Sequence, residues 1–335
     1  LGTRLEVPRM NRSPSAVKTR RSDKARIGVP ALTTAVAGIS ISSLFYKLSY
    51  ATGWSPFWVN ITRIFFALCI MTPMTFFNRA NRARLRHVPK RLFWLSALSG
   101  TLLAFHFTAW AIALNQTDVF AATAISGTNL LITALFSSLF LHEKTSVGAL
   151  AGMLIATAGV VVCNLGGTVG TLSGNLYALL SAVLLALYTL CGRKARAELD
   201  VNTYTAIVYS FTFVWMALMV WTLGVEPAAG FQPQNLLWAL GLAIFPTLLG
   251  HTMQSVSLKY FKAPTVSAVL LVNMILSPLI VFLALGDVPT RNTFFGGCVI
   301  IVGIVWYIWM ELRDEHAARG AAHTAGPLDG PTMMG

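Results

Sequence analysis

The stretch Asn129-Leu-Leu-Ile-Thr-Ala-Leu135 returns 144 residues later as Asn273-Met-Ile-Leu-Ser-Pro-Leu279. The same shift lays Leu141-His142-Glu143 on Leu285-Gly286-Asp287, Gly152 on Gly296 and Gly159 on Gly303; upstream, a shift of 146 lays Ala31–Lys47 on Tyr177–Arg193. Self-similarity over so long a period marks a chain built from two copies of one unit. Working outward from these stretches, apolar runs of about 18 residues or more mark membrane helices. Ten are read, over 27–47, 56–77, 92–114, 119–141, 147–165, 174–192, 203–224, 235–258, 263–286 and 292–310. Their links are short, so consecutive helices run antiparallel, and the alternating segments of about ten residues that a transmembrane barrel needs are not seen.

Each copy holds five runs. Five is odd, so the second copy enters the membrane from the opposite side, which makes an inverted-topology repeat of the kind found in secondary transporters. Two nearly equivalent halves can exchange roles, one opening inward and the other outward. The expected fold is an all-α membrane protein with ten transmembrane helices, arranged as two inverted five-helix repeats around a central cavity. The repeats span 27–165 and 174–310, between a basic tail over 1–26 and a disordered tail over 311–335. Met10 offers a start, so residues 1–9 are set aside; the first run is too long for a cleaved signal peptide and nine more follow it.

Composition agrees. Of 335 residues, 55% are hydrophobic and 11% charged, against about 25% charged in a globular chain. A soluble enzyme and a disordered chain are both excluded. The excess of 25 Lys+Arg over 12 Asp+Glu, a net +13, raises nucleic acid as a partner only until the charges are placed. Twenty-two of the basic residues fall in the N-terminal tail, the even-numbered links (Arg79–Arg91, Lys144, Arg193–Arg196, Lys259 and Lys262) and the C-terminal tail. Only Lys47 and Arg291 lie on the other side, and Arg63 lies inside a span. By the positive-inside rule both termini are cytoplasmic. The Arg-rich link is thus a topological signal compatible with attraction to anionic lipid, and no nucleic-acid partner is expected.

These features resemble the drug/metabolite transporter superfamily in its EamA-type branch. The resemblance rests on Thr117–Val162 and Gly250–Val305, each a long helix, an acid (Glu143 in LHEK, Asp287 in LGDVP) and a Gly-rich helix. It also rests on Gly250-His-Thr-Met-Gln254 with Leu258-Lys-Tyr260 and Ala263-Pro-Thr265, and on Gly192-Arg-Lys-Ala-Arg196. It covers roughly residues 27–310. It implies a ten-helix transporter, and export across a bacterial inner membrane. Where the family often has an acid-proline pair, this chain has Asn129-Leu130 and Asn273-Met274, with Pro278 displaced and only in the second half. A carboxylate role there is not carried over.

Ionisable and polar residues at membrane depth are the candidate site. Arg63 lies near the middle of the second span: it either pairs as a fork with a substrate carboxylate or holds helix ends or water. His106 and His251, in the equivalent third and eighth spans, either face the cavity and titrate or bond a neighbouring carbonyl. Trp110 and Gln254 each fall one turn beyond a histidine and share its face. Asn129 and Asn273 either contact substrate or join helices. Tyr46, Tyr188 and Tyr209 lie deep enough to touch substrate, and Tyr188 is taken with the candidate set. Trp54, Phe57, Trp58 and Trp94, near span ends, read as interfacial anchors. Gly148, Gly152 and Gly159, with Gly296 and Gly303, mark close helix packing, within the chain or in a dimer.

No span carries Asp or Glu near its centre, which disfavours a proton-coupled exporter of bulky cations. No P-loop, G-x-S-x-G or H-E-x-x-H occurs. Cys69, Cys163, Cys191 and Cys298 sit singly in apolar runs and read as small buried hydrophobes, so neither metal nor cofactor is expected. The expected function is secondary transport, in the export direction, of small metabolites such as amino acids by alternating access, the protein being monomeric or dimeric in the lipid bilayer. Nucleosides, sugars or amines are the alternative substrates. An intramembrane lipid-modifying enzyme is the distant alternative, and it needs a nucleophile or metal set beside a histidine.

Overall fold

A computed structural model describes residues 22–116, 122, 125–143, 145–163, 165, 171–286 and 291–324. Asp118, Lys144 and Asp287 lie outside them. Among the described residues every regular element is helical. We number the helices α1 (Lys24–Tyr50), α2 (Pro56–Phe76), α3 (Arg79–Arg86), α4 (Lys90–Gln116), α5 (Ile125–Leu141), α6 (Val147–Cys163), α7 (Leu172–Ala195), α8 (Val201–Thr222), α9 (Gln234–Ser257), α10 (Ala263–Leu285) and α11 (Arg291–Thr324). Eight segments are long and apolar enough to cross a membrane: α1, α2, α4, α7, α8, α9, α10 and the Phe294–Asp314 part of α11. Two of the ten expected spans appear as the shorter apolar helices α5 and α6.

Local chemistry sets the helix ends. Pro56 opens α2 with Ser55 accepting from the Phe57 amide; Thr171 caps α7 through the Gly174 amide and Asp200 caps α8 through the Thr203 amide. Each cap satisfies an N–H that the helix itself leaves free. At the other ends, α5 closes on His142 at φ 53° and α10 on Gly286 at φ 78°. These are the residues that the 144-residue shift superposes.

Three helices are interrupted. α1 bends at Ile41; α5 resumes at Asn129 after a turn at Thr128; α10 resumes at Asn273 after a turn at Leu271–Val272. In addition, Ala243–Thr252 of α9 is wound as a π-helix around Pro246. Proline deprives the ladder of a donor, and the widened turn lets the Thr247 hydroxyl donate to the Leu242 carbonyl at 2.8 Å.

The principal packings are α6 on α11, α4 on α7 and α8, α1 on α9 and α10, α2 on α8 and α9, and α5 on α7 and α10. The glycine stripe belongs to the first of these. A Cβ on Gly152 would lie 2.7 Å from the Tyr307 nitrogen, and one on Gly159 would lie 2.6 Å from the Ile300 nitrogen. The stripe therefore serves a contact within the chain. Outward faces carry large apolar side chains, among them Leu139, Phe140, Val214, Trp221, Leu283 and Val302, a surface suited to lipid and not to water.

Four sequence expectations change. The link Arg79–Arg86 is a helix, capped by Asn78. The helix that opens at Arg291 runs on to Thr324, so residues 311–324, expected to be disordered, are helical; Glu, Leu, Arg and Ala are good helix formers. Trp54 is buried and donates its indole N–H to the Pro227 carbonyl at 3.2 Å, fastening the link before α9 where an interfacial anchor was expected. Cys69 and Cys298 are exposed on the outer surface, not buried.

The motifs that carried the family resemblance meet at one end of the bundle. Glu143 accepts from Arg193 Nε at 2.8 Å, Ser137 Oγ at 2.8 Å and the Ala263 amide at 3.3 Å. Arg193 Nη1 also donates to the Leu258 carbonyl at 2.7 Å. Lys262 pairs with Glu311 at the same end, and Lys24 lies 5.2 Å from the Phe261 ring centre.

Candidate functional site

Arg63 lies on α2, three residues from the midpoint of the expected span. A cation there costs roughly 2.5–3.5 kcal/mol to insert, so its surroundings must compensate. It is 2% exposed. Its Nε donates to Thr247 Oγ1 at 2.6 Å and its Nη1 to the Tyr46 hydroxyl at 2.8 Å. The Phe107 ring centre lies 4.0 Å from Cζ, in cation–π range. The Tyr46 hydroxyl in turn donates to Asn60 Oδ1 at 2.6 Å, and Asn60 Nδ2 donates to the Phe107 carbonyl at 3.4 Å. One group is left over: Arg63 Nη2 is buried with no hydrogen-bond partner.

The π-wound part of α9 supplies the facing wall. It carries Thr247 against Arg63 and, one turn on, His251. The His251 ring stands edge-on to Phe107, centres 5.1 Å apart, and to Tyr188 at 5.9 Å. Gln254 donates to Thr189 Oγ1 at 3.3 Å, and its side chain also interacts with His251, one turn earlier on the same helix. Tyr188 bonds Ser255 Oγ at 3.3 Å, and Tyr209 bonds the Thr247 carbonyl and Thr252 Oγ1. Unsatisfied buried polar atoms are uncommon in folded chains, and Arg63 Nη2 is one at the centre of this cluster.

Of the residues expected from sequence, Arg63, Tyr188, His251 and Gln254 come together here. His106 adjoins the cluster through Phe107, ring centres 5.4 Å apart. Its Nδ1 is held by the carbonyl and hydroxyl of Ser181, both at 2.9 Å, so the carbonyl-bonded alternative describes it. Trp110 packs against two apolar groups, one that contains Tyr46, Val59 and Leu242 and one that contains Ala113 and Ala178. Asn129 and Asn273 stand apart: Asn129 accepts from Thr133 at 2.7 Å and Asn273 donates to the Leu270 carbonyl at 2.7 Å, each beside its helix interruption.

Asn60, Phe107 and Thr247 were not singled out from sequence. Spacing offered a signal for each: Asn60 precedes Arg63 by three residues and Thr247 precedes His251 by four, which is one helical face, and Phe107 adjoins His106. Among the described residues Glu311 is the only buried carboxylate, and it pairs with Lys262 at the bundle end. Among the described residues the central cluster therefore holds a cation and no counter-charge.

Comparisons with known proteins agree with this architecture. The model of the EamA-like transporter family matches residues 26–165 and again residues 172–309. An uncharacterized transporter of Clostridium kluyveri is 22% identical over 283 residues, covering 80% of this chain and 90% of its own length. Another, of Archaeoglobus fulgidus, is 24% identical over 213 residues, covering 62% of this chain and 72% of its own. A solved crystal structure of 20% sequence identity superposes with a TM-score of 0.72 over 87% of this chain and 99% of its own, a likeness of fold. With apolar helices long enough to cross a bilayer and a family model matching both halves, the chain is a multi-pass membrane protein of the EamA-like transporter family, within the drug/metabolite transporter superfamily.

Proposed function

We propose that this transporter carries small metabolites bearing a carboxylate, amino acids with aromatic or otherwise apolar side chains first among them, by alternating access and in the export direction across a bacterial inner membrane. One observation carries the substrate class: a buried guanidinium with no carboxylate partner among the described residues, its Nη2 unpartnered and its Cζ against the Phe107 ring. A buried charge is tolerated when it is paired, and a substrate carboxylate would complete the pair. The same uncompensated cation disfavours amines.

Alternating access draws support from the two matches of one family model to the two halves. It is further supported by packings that exchange when the halves are exchanged: α4 on α7 answers α1 on α9, and α5 on α7 answers α1 on α10. The interruptions at Thr128 and Val272, 144 residues apart, fit the same relation. The 22-to-2 charge sorting supports cytoplasmic termini, with Glu143 and Arg193 on the cytoplasmic side. The test is uptake into proteoliposomes by wild type and Arg63→Ala. Wild type is expected to move L-phenylalanine or another carboxylate-bearing amino acid and the variant to lose that movement. Equal transport of every carboxylate substrate by both would remove the role of Arg63.

A further inference from the structure

Behind Arg63 stands a relay with a defined direction. Asn60 Nδ2 donates to the Phe107 carbonyl, which leaves Oδ1 as the acceptor for the Tyr46 hydroxyl. The single Tyr46 proton is thus spent on Asn60, and its oxygen lone pairs face Arg63 Nη1. With Nε fixed on Thr247 and the guanidinium face on Phe107, the group still free is Nη2. Asn60 and Tyr46 are 2% and 4% exposed, so solvent does not replace either bond. Asn60 is also a position at which an acid of the same shape would bring a negative charge to the relay from inside the protein.

We propose that Asn60, acting through Tyr46, is a specificity-determining positioning residue: it aims Arg63 Nη2 and, being an amide and not an acid, leaves the guanidinium charge for the carboxylate of the substrate. The inference rests on the assignment of Arg63 as the carboxylate-binding group. Asn60→Asp then acts as a built-in competitor. It satisfies the cation internally, weakens carboxylate binding and makes room for ligands that lack a carboxylate.

The experiment is thermal unfolding of the purified full-length protein titrated with L-phenylalanine, benzoate and phenethylamine, the last an aromatic body without a carboxylate. Wild type is expected to be stabilised by the first two and not by phenethylamine. Tyr46→Phe keeps the ring and loses the hydroxyl; it should weaken the carboxylate response about tenfold, the effect of one charge-assisted hydrogen bond, and gain nothing for phenethylamine. Asn60→Asp should weaken the carboxylate response at least as much and gain a phenethylamine response, which a purely structural role for Asn60 would not produce. Should Asn60→Asp fail to fold, Tyr46→Phe together with Asn60→Ser decides: both must weaken the carboxylate response with the phenethylamine response still absent. If Arg63→Ala abolishes the carboxylate response while Tyr46→Phe and the Asn60 variants keep it, the inference falls and the role of Arg63 stands. If wild type gives no carboxylate response, or Arg63→Ala retains it, both fall together.

Discussion

Replacing Glu143 tests how the two halves are held at the end where Arg193 lies. Its carboxylate binds α7 through Arg193, α10 through the Ala263 amide and its own helix through Ser137. Exposed ion pairs contribute about 0–1 kcal/mol, and removing one partner of a fully buried pair costs about 3–5 kcal/mol. Here the side chains of Arg193 and Glu143 are 19% and 15% exposed, so the pair falls between these limits. Arg193 also keeps the Leu258 carbonyl when Glu143 is lost, so it is not orphaned. The expected cost of Glu143→Ala is therefore about 2 kcal/mol, with about 1 kcal/mol of coupling to Arg193→Ala in a double-mutant cycle. Glu143→Gln should cost about half as much, because its Oε1 still accepts from Arg193 while its NH2 cannot accept from the Ala263 amide. The assay is equilibrium unfolding in mixed SDS–detergent micelles, followed by circular dichroism. Strict additivity of Glu143→Ala and Arg193→Ala would refute the ion pair as a source of stability.

Two further outcomes follow from the helix ends. His142 occupies the left-handed region at φ 53° where the second half has Gly286; since that conformation costs a side-chain-bearing residue about 1–2 kcal/mol, His142→Gly should raise stability by about 1 kcal/mol in the same unfolding assay, and a loss would show that the His142 side chain contributes contacts of its own. Asp200 is partly buried, which by itself raises its pKa, but the Thr203 hydroxyl and amide, with Arg84 and Arg196 nearby, hold it below the ordinary carboxylate value. A depressed folded-state pKa stabilises above the unfolded value of about 3.9 and is lost as pH falls through the folded one. Asp200→Ala should therefore cost about 1 kcal/mol at neutral pH, and its deficit against wild type should shrink below about pH 4; a deficit independent of pH would show that the carboxylate charge plays no part.

Span positions were legible because bilayer thickness dictates a run of apolar residues whatever else the helix does. α2, α4, α8 and α9 begin and end within about two residues of the positions read, inside the ordinary boundary error. Arg63 was legible for the opposite reason, its cost in that setting. Its partners were not. Tyr46 and Thr247 lie 17 and 184 residues away, and no local pattern announces a bond that only packing creates. Trp54 shows the same limit: near a span end it reads as an anchor, yet the link before α9 folds over it. α3 was overlooked for a local reason, since Arg79–Arg86 is too polar to register as an apolar run although Asn78 is a good cap and Ala, Leu and Arg suit a helix.

The interruptions at Ile41, Thr128 and Leu271–Val272 have a mechanical consequence. An unbroken helix transmits a tilt along its whole length, so turning one end levers the other. A helix broken near its middle does not: its two segments behave as separate rods on a short joint, and one can swing while its partner keeps its neighbours. In α1 and α10 the joint amounts to one or two residues, so a large change of shape at one membrane face requires torsional change at only a handful of backbone positions; in α5 the turn at Thr128 sets off only residues 125–127. The unbroken helices include α2, α4 and α7, which carry Arg63, Phe107 and Tyr188, and the proposed ligand contacts on these can stay in place while the jointed rods move around them.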